Sequence, residues 1–234
     1  MHNYLIIGSN SSIGRAVSTQ LRGLGEQVVG VSRSTGPAEQ PTISCDFRKP
    51  EQVDLAIDEA VLRFGRFDSI IFCQRFRPTK KVRGHAWEDE INVNAIPLSA
   101  FLSRHSSLFK KKGLRSVVVI SSLSSVNPTL LAPLEYQSSK ALLESIARYY
   151  ARALGPQGIR VNIVCPYFIE KSKHRVGTSS KVNAQFAKST VLRRSCEAKE
   201  IAAPVIFLSS EGSSFITGIA LTIDGGASLM VYPK

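Results

Sequence analysis

The sequence predicts an α/β fold: a doubly wound, seven-stranded parallel sheet flanked by helices on both faces. Three observations predict it. Short, β-branched apolar runs recur along the 234 residues. Amphipathic stretches of helical length alternate with them. The first apolar run ends in a turn of small residues that opens a helix. The runs are continuously apolar, which is how strands read when both faces of a parallel sheet are covered.

The elements follow in chain order. Tyr4–Gly8 is the first strand, and the helix after it covers Ile13–Leu24. Gln27–Ser32 and Thr42–Cys45 are the second and third strands, followed by a helix over Glu51–Phe64. Ser69–Cys73 is the fourth strand, and the spacing predicts one long helix near Ile91–Lys111. Ser116–Ser121 is the fifth strand, ahead of a helix over Tyr136–Leu154. Arg160–Cys165 is the sixth, then comes a helix near Lys199–Leu208, and Ala220–Ile223 closes the sheet. There is no internal repeat, low-complexity tract or linker, so one domain over residues 1–234 is expected.

Composition narrows the class. Hydrophobic residues make up 43% and charged residues 21%, ordinary for a globular protein. No apolar run approaches the ~20 residues of a membrane span. The opening MHNYLIIG enters a strand directly, so no signal peptide is expected. Cys45, Cys73, Cys165 and Cys196 are scattered, and three lie in apolar runs, which reads as buried thiols in a reducing cytoplasm. His2, His85, His105 and His174 lack metal-ligand spacing, so no metal site is expected. The net charge of +12 implies an acidic partner, an acidic substrate or a basic surface. Nucleic acid is disfavoured, because no nucleic-acid-binding signature accompanies the charge.

The chemistry centres on Tyr136-Gln137-Ser138-Ser139-Lys140, with Ser122 upstream at the end of an apolar run. Residues four apart share a helix face. Lys140 can therefore stand near the Tyr136 hydroxyl, whose ordinary pKa of about 10 is too high for proton exchange near neutrality. A fixed cation favours the phenolate and makes the pair a general acid/base. A packed aromatic on a solvated helix face is the rival reading.

Gly8-Ser9-Asn10-Ser11-Ser12-Ile13-Gly14 fits a pyrophosphate cradle at a helix N-terminus, or a tight turn with a Ser or Asn cap. The second strand ends Val31-Ser32-Arg33 with no acid to bind a ribose 2′-hydroxyl. Arg33 there suits a 2′-phosphate, favouring NADP(H) over NAD.

With these motifs the chain resembles the short-chain dehydrogenase/reductase family, and in particular its 3-oxoacyl-carrier-protein reductase-like members, over nearly its whole length. The set Ser122–Tyr136–Lys140 carries the likeness. So do Trp87 ahead of Val93-Asn94, the stretch GPQGIRVNIVCP from Gly155, and EIAAPVIFLSSEGSSFITGIALTIDGG from Glu200. The resemblance implies a Rossmann-like fold and an NADP-dependent reduction of a ketone or 3-oxoacyl group. In it Tyr136 protonates the carbonyl oxygen, Lys140 lowers the Tyr136 pKa and binds the nicotinamide ribose, Ser122 holds the substrate oxygen, and Asn94 holds a relay water. Gly8 to Gly14, Arg33, Asp46, Phe47, Cys73, Gln74, Tyr136, Lys140, Pro166 and Ile169 would contact the cofactor. Homodimers or homotetramers through the two long helices are also implied.

The pattern breaks at three places. Ser12 stands where the family has glycine, and Ile7 where it has threonine. Phe72-Cys73-Gln74-Arg75 replaces N-N-A-G. Pro166-Tyr167 replaces P-G, with Lys171 in place of the nearby threonine. An NADP-binding scaffold without turnover is the alternative these changes favour. Basic residues cluster after the fourth strand (Arg75, Arg77, Lys80, Lys81, Arg83) and the sixth (Lys171, Lys173, Arg175, Lys181, Lys188, Arg193, Arg194). The second cluster falls in the segment 171–196, the substrate lid by resemblance. A basic rim predicts an anionic substrate, free or on an acyl carrier protein.

Overall fold

The structure, a computed structural model, describes residues 1–34, 40–76, 86–169 and 180–230. In chain order the elements are β1 (Asn3–Ile7), α1 (Ser12–Gly23), β2 (Gln27–Ser32), β3 (Thr42–Ser44), α2 (Pro50–Phe64), β4 (Ser69–Phe72), α3 (Ala86–Asn94), α4 (Ile96–Ser103) and α5 (His105–Leu108). They continue with β5 (Ser116–Ile120), α6 (Leu134–Leu154), β6 (Arg160–Pro166), α7 (Ser180–Lys188), α8 (Ala198–Ser209) and β7 (Ala220–Ile223). The strands form one parallel sheet in the order β3-β2-β1-β4-β5-β6-β7.

The apolar runs explain the layers. Successive strand side chains point to opposite faces. Leu5, Ile7, Ile70, Phe72, Val117, Val119, Ile163 and Cys165 pack on one side with residues of α2, α4 and α6. Tyr4, Ile6, Ile71, Cys73, Val118, Ile120 and Val164 pack on the other with α1 and α8. Both faces are buried, so neither shows a polar alternation. The strand order reverses between β1 and β4, so their carboxyl ends open a crevice there. Gly8, Cys73, Ser121 and Pro166 all lie at or just beyond strand ends on that side.

The single helix expected near Ile91–Lys111 is three. It starts earlier, at Ala86, and breaks at Ala95 (φ −113°, ψ −51°) because Pro97 has no N–H to offer the Val93 carbonyl. A second break falls at Arg104, and α5 ends at Leu108. Lys110 to Lys112 therefore do not finish a helix. Phe109 pairs with Phe67 as an isolated bridge, and the Lys110 ammonium meets the buried Asp68 carboxylate at 2.6 Å. Helix α7 was not expected. Its sequence SKVNAQFAK carries few apolar positions, and one of them, Phe186, stacks on Phe168. Among the described residues no helix is long and apolar enough to cross a membrane.

Candidate active site

One face of α6 carries the centre. Tyr136, Ser139, Lys140, Leu143, Glu144 and Ala147 recur at three and four residues, and all but the half-buried Tyr136 are buried against the sheet. The helix entrance is fixed by Gln137, whose Nε2 donates to the Thr129 and Ala132 carbonyls at 2.9 Å each. Its Oε1 accepts the Thr129 N–H at 2.8 Å. That ties the loop between Ser122 and Tyr136 to the helix.

Lys140 is 2% exposed, and its ammonium donates to the Ile120 carbonyl at 2.9 Å, at the end of β5. Burial lowers its pKa to about 8. That value already includes the positive charge of Arg75, which acts in the same direction, and Glu90 and the thiols of Cys73 and Cys165, which act the other way. The Arg75 guanidinium lies 4.5 Å from the centre of the Tyr136 ring, over its face. Among the described residues Arg75 has no carboxylate within ion-pair distance.

Ser122 extends from β5 and caps a 3-10 turn at Leu123–Ser125, with its Oγ 2.9 Å from that of Ser124. Asn94, at the end of α3, is fully buried. Its Oδ1 accepts the Phe76 N–H at 2.9 Å, and its Nδ2 donates to the Ser139 Oγ at 2.9 Å and to Glu90. Ser139 passes the chain on to the Tyr136 carbonyl at 2.8 Å. The structure thus links Asn94 through Ser139 to the Tyr136 main-chain carbonyl, sets Lys140 one turn further along the same helix face on a separate bond to Ile120, and puts Ser122 at the neighbouring strand end.

Two buried carboxylates went unnoticed in the sequence. Glu90 joins the Asn94 network. Glu144 accepts from Ser121 Oγ at 2.7 Å, from Arg148 at 2.7 Å, from Cys165 Sγ at 3.4 Å and from Ser125. Their positions one helical turn from Asn94 and Lys140 were the available signal.

The first turn is the candidate dinucleotide side. Gly8 has φ +80°, and a Cβ there would come within 2.4 Å of the Gln74 nitrogen. A Cβ on Gly14 would meet the Gly8 carbonyl at 2.5 Å. Ser11 caps α1 by accepting the Gly14 N–H at 3.0 Å, and no acid occupies the first turn of that helix. Ser12 is exposed and Ile13 packs in the core. Asn10 donates to Ser32 Oγ at 2.8 Å and to the Ser34 carbonyl at 2.6 Å, tying the turn to the end of β2. Arg33 is exposed beside it. The buried Ser9 Oγ and both polar atoms of the buried Gln74 amide lack partners among the described residues. A close-approach glycine turn, an open helix N-terminus and buried polar atoms in want of a partner fit the pyrophosphate and ribose of a dinucleotide.

The remaining expected contacts are mixed. Arg48 grips Asp46, with Nε 3.0 Å and Nη2 2.5 Å from its two oxygens, and holds that carboxyl below its ordinary range. Phe47 turns into the core. Cys73 is buried, which pushes its thiol up to about 12. Pro166 ends β6, and Ile169 bridges to Cys196. Beyond them a cavity of ≈ 90 Å³ is lined by Tyr167, Phe168, Thr190, Leu192, Arg194 and Asp224. Phe168 stacks on Phe186 of α7 at 3.9 Å.

Arg77, Lys80, Lys81, Arg83, Lys171, Lys173 and Arg175 lie outside the described residues, as do Glu170 and Ser172. Of the other basic residues, Arg194 is paired with Glu200 at 2.6 Å and Arg193 donates to the Lys188 carbonyl at 2.9 Å.

Comparison with known proteins agrees with this geometry. Residues 7–228 match the family model described as enoyl-(acyl carrier protein) reductase. The chain is 26% identical to the short-chain reductase NovJ of Streptomyces niveus, over 95% of this chain and 92% of that protein. It is 27% identical to the 3-oxoacyl-(acyl-carrier-protein) reductase FabG of Salmonella typhimurium, over 95% of each. Among solved structures, the ligand-free aldohexose dehydrogenase of Thermoplasma acidophilum superimposes with a TM-score of 0.87 at 25% identity, covering 100% of this chain and 98% of that one.

Proposed function

The chain belongs to the short-chain dehydrogenase/reductase family of oxidoreductases, and we propose that it is an NADPH-dependent reductase of a ketone or 3-oxoacyl group borne by an anionic molecule. The family works with nicotinamide cofactors, which supply the hydride. The Tyr136 hydroxyl donates the proton to the carbonyl oxygen, and Ser122 Oγ holds that oxygen in place. The Lys140 ammonium stabilises the phenolate left behind and binds the ribose. Asn94, whose amide is taken up by Phe76, Glu90 and Ser139, would hold the relay water on its main-chain carbonyl. Arg33 takes the 2′-phosphate. Asp46 to Phe47, Cys73 to Gln74, Pro166 and Ile169 border the rest of the cofactor.

The single observation that carries the reading is the buried Lys140 ammonium, held by the Ile120 carbonyl on the helix face that presents Tyr136. An ion of that kind is costly to bury unless it has work to do or a partner. The anionic substrate rests on Arg75, a cation on the Tyr136 ring that makes no ion pair among the described residues. The names of the family model and of the Salmonella relative both point to acyl groups on a carrier protein, a negatively charged cargo of the expected kind. A single domain closed by a lid over 171–196, assembled as a dimer or tetramer in the cytoplasm, completes the proposal.

The test is NADPH oxidation across paired carbonyl substrates, each in carboxylate-bearing and neutral form, with 3-oxoacyl thioesters included. The anionic member of each pair is expected to have the higher kcat/KM. Tyr136→Phe is expected to cut turnover by about 10²–10⁴-fold with NADPH affinity unchanged. Full turnover in that variant would remove Tyr136 from the mechanism. NADPH binding without turnover of any substrate would instead favour a scaffold, with Arg75 closing the tyrosine face.

A further inference from the structure

We propose that Glu90 is a positioning residue of the proton relay: its carboxylate fixes the Asn94 amide and supplies the negative charge that holds the Lys140 ammonium against Arg75. The inference rests on the reductase reading above. Glu90 lies one turn before Asn94 on α3 and is 4% exposed. It accepts a hydrogen bond from Asn94 Nδ2, whose other proton goes to Ser139. Among the described residues it makes no ion pair within 4 Å. A buried carboxyl without an ion pair is expensive, and it is kept only where its charge has a use.

The charges around it define that use. From α6 come Lys140 and the Ser139 hydroxyl. From the segment after β4 come Arg75 and the Phe76 N–H that fixes the Asn94 oxygen. Helix α4 brings no ionisable side chain. Burial raises the Glu90 carboxyl above its ordinary range, and Asn94, Arg75, Lys140 and Ser139 draw it back. Lys140 in turn feels Arg75, which opposes its charge, and Glu90, Cys73 and Cys165, which favour it. The thiols are neutral near pH 8, since burial pushes both up to about 12. The other buried carboxylate of this site, Glu144, is spent on Arg148, Ser121, Ser125 and Cys165. Glu90 is left as the anion that offsets Arg75 at the lysine.

Glu90→Gln separates charge from shape, because the amide oxygen still accepts from Asn94. The measurement is the Lys140 titration by NMR on lysine-labelled full-length protein, with the signal assigned by Lys140→Arg. In Glu90→Gln the midpoint is expected below the wild-type value of about 8, and the alkaline limb of kcat/KM is expected to move with it. Glu90→Asp keeps the charge but shortens its reach, so its midpoint should fall less while its Tm drops. The Asp variant also stands in should the Gln variant fail to fold. An unchanged Lys140 midpoint in the folded variants would mean that Glu90 only packs and bonds, and the assignment would be wrong. The titration needs no turnover, so its result stands apart from whether any carbonyl substrate is reduced.

Discussion

The two halves of the site are finished to different degrees. On the α6 side Lys140, Asn94, Ser122 and Glu144 all have protein partners, at 2.7–2.9 Å for Lys140 to Ile120, Asn94 to Ser139, Ser122 to Ser124 and Glu144 to Arg148. On the side of the first turn, Ser9 Oγ and the Gln74 amide are buried without partners among the described residues. Buried polar atoms are ordinarily satisfied, and the exceptions need a reason. The acid/base side is preorganised by the fold itself, which is what proton transfer between fixed groups requires. The candidate dinucleotide side is shaped for close approach and leaves those atoms without partners among the described residues.

Three measurements break or sharpen that contrast. The largest effect is expected from Gly8→Ala, which places a Cβ 2.4 Å from the Gln74 backbone at φ +80°. Strain of about 3 kcal/mol corresponds to a loss of roughly 100-fold in cofactor affinity or folding equilibrium. Calorimetric titration together with a thermal melt distinguishes the two, and a wild-type result would show that the turn is looser than the contrast demands. Next, Arg33→Ala is expected to weaken NADPH binding by about tenfold, one charge-assisted contact, and to leave NADH binding alone. Equal losses for both cofactors would detach Arg33 from the 2′-phosphate. The smallest effect is in pH. In the proposed mechanism the lysine ammonium is the active form, and burial brings its pKa down to about 8. Reductase activity should therefore hold below that pH, fall to half near it and decline above it. A profile flat to pH 9.5 would mean that Lys140 remains charged throughout and that burial is offset more fully than its surroundings suggest.

Much of the fold was readable in the chain because it rests on local pattern. Continuous runs such as LII at Leu5–Ile7 and VVVI at Val117–Ile120 can only be strands covered on both faces, and they are. The glycine turn was readable because only glycine tolerates φ +80° with another backbone at that distance. The long helix before β5 was misjudged: Pro97 sits inside an apolar, helix-like stretch, and its missing N–H was underweighted. The identity of Tyr136 and Lys140 as neighbours on one face followed from spacing alone.

What spacing could not supply was everything set by partners distant in the chain. The helix expected near Ile91–Lys111 would leave Lys110 in its last turn, whereas the fold brings Phe67 and Asp68 beside it. Asp46 and Phe47 share a sequence position with cofactor contacts, and only the structure shows that Arg48 also holds the first side chain and the core the second. Arg75 reads as a loop cation, and only the tertiary fold brings the segment after β4 to α6 and lays it on the Tyr136 ring. Glu90 reads as one acid among three in a helix, and only the meeting of α3 with α6 buries it and brings Ser139 to the Asn94 amide beside it. The sequence determined the layers, the turn and the tyrosine–lysine pair, because periodicity and backbone stereochemistry are local. The charges that tune that pair were decided by tertiary structure, because electrostatics depends on distance in space and on burial, neither of which is written along the chain.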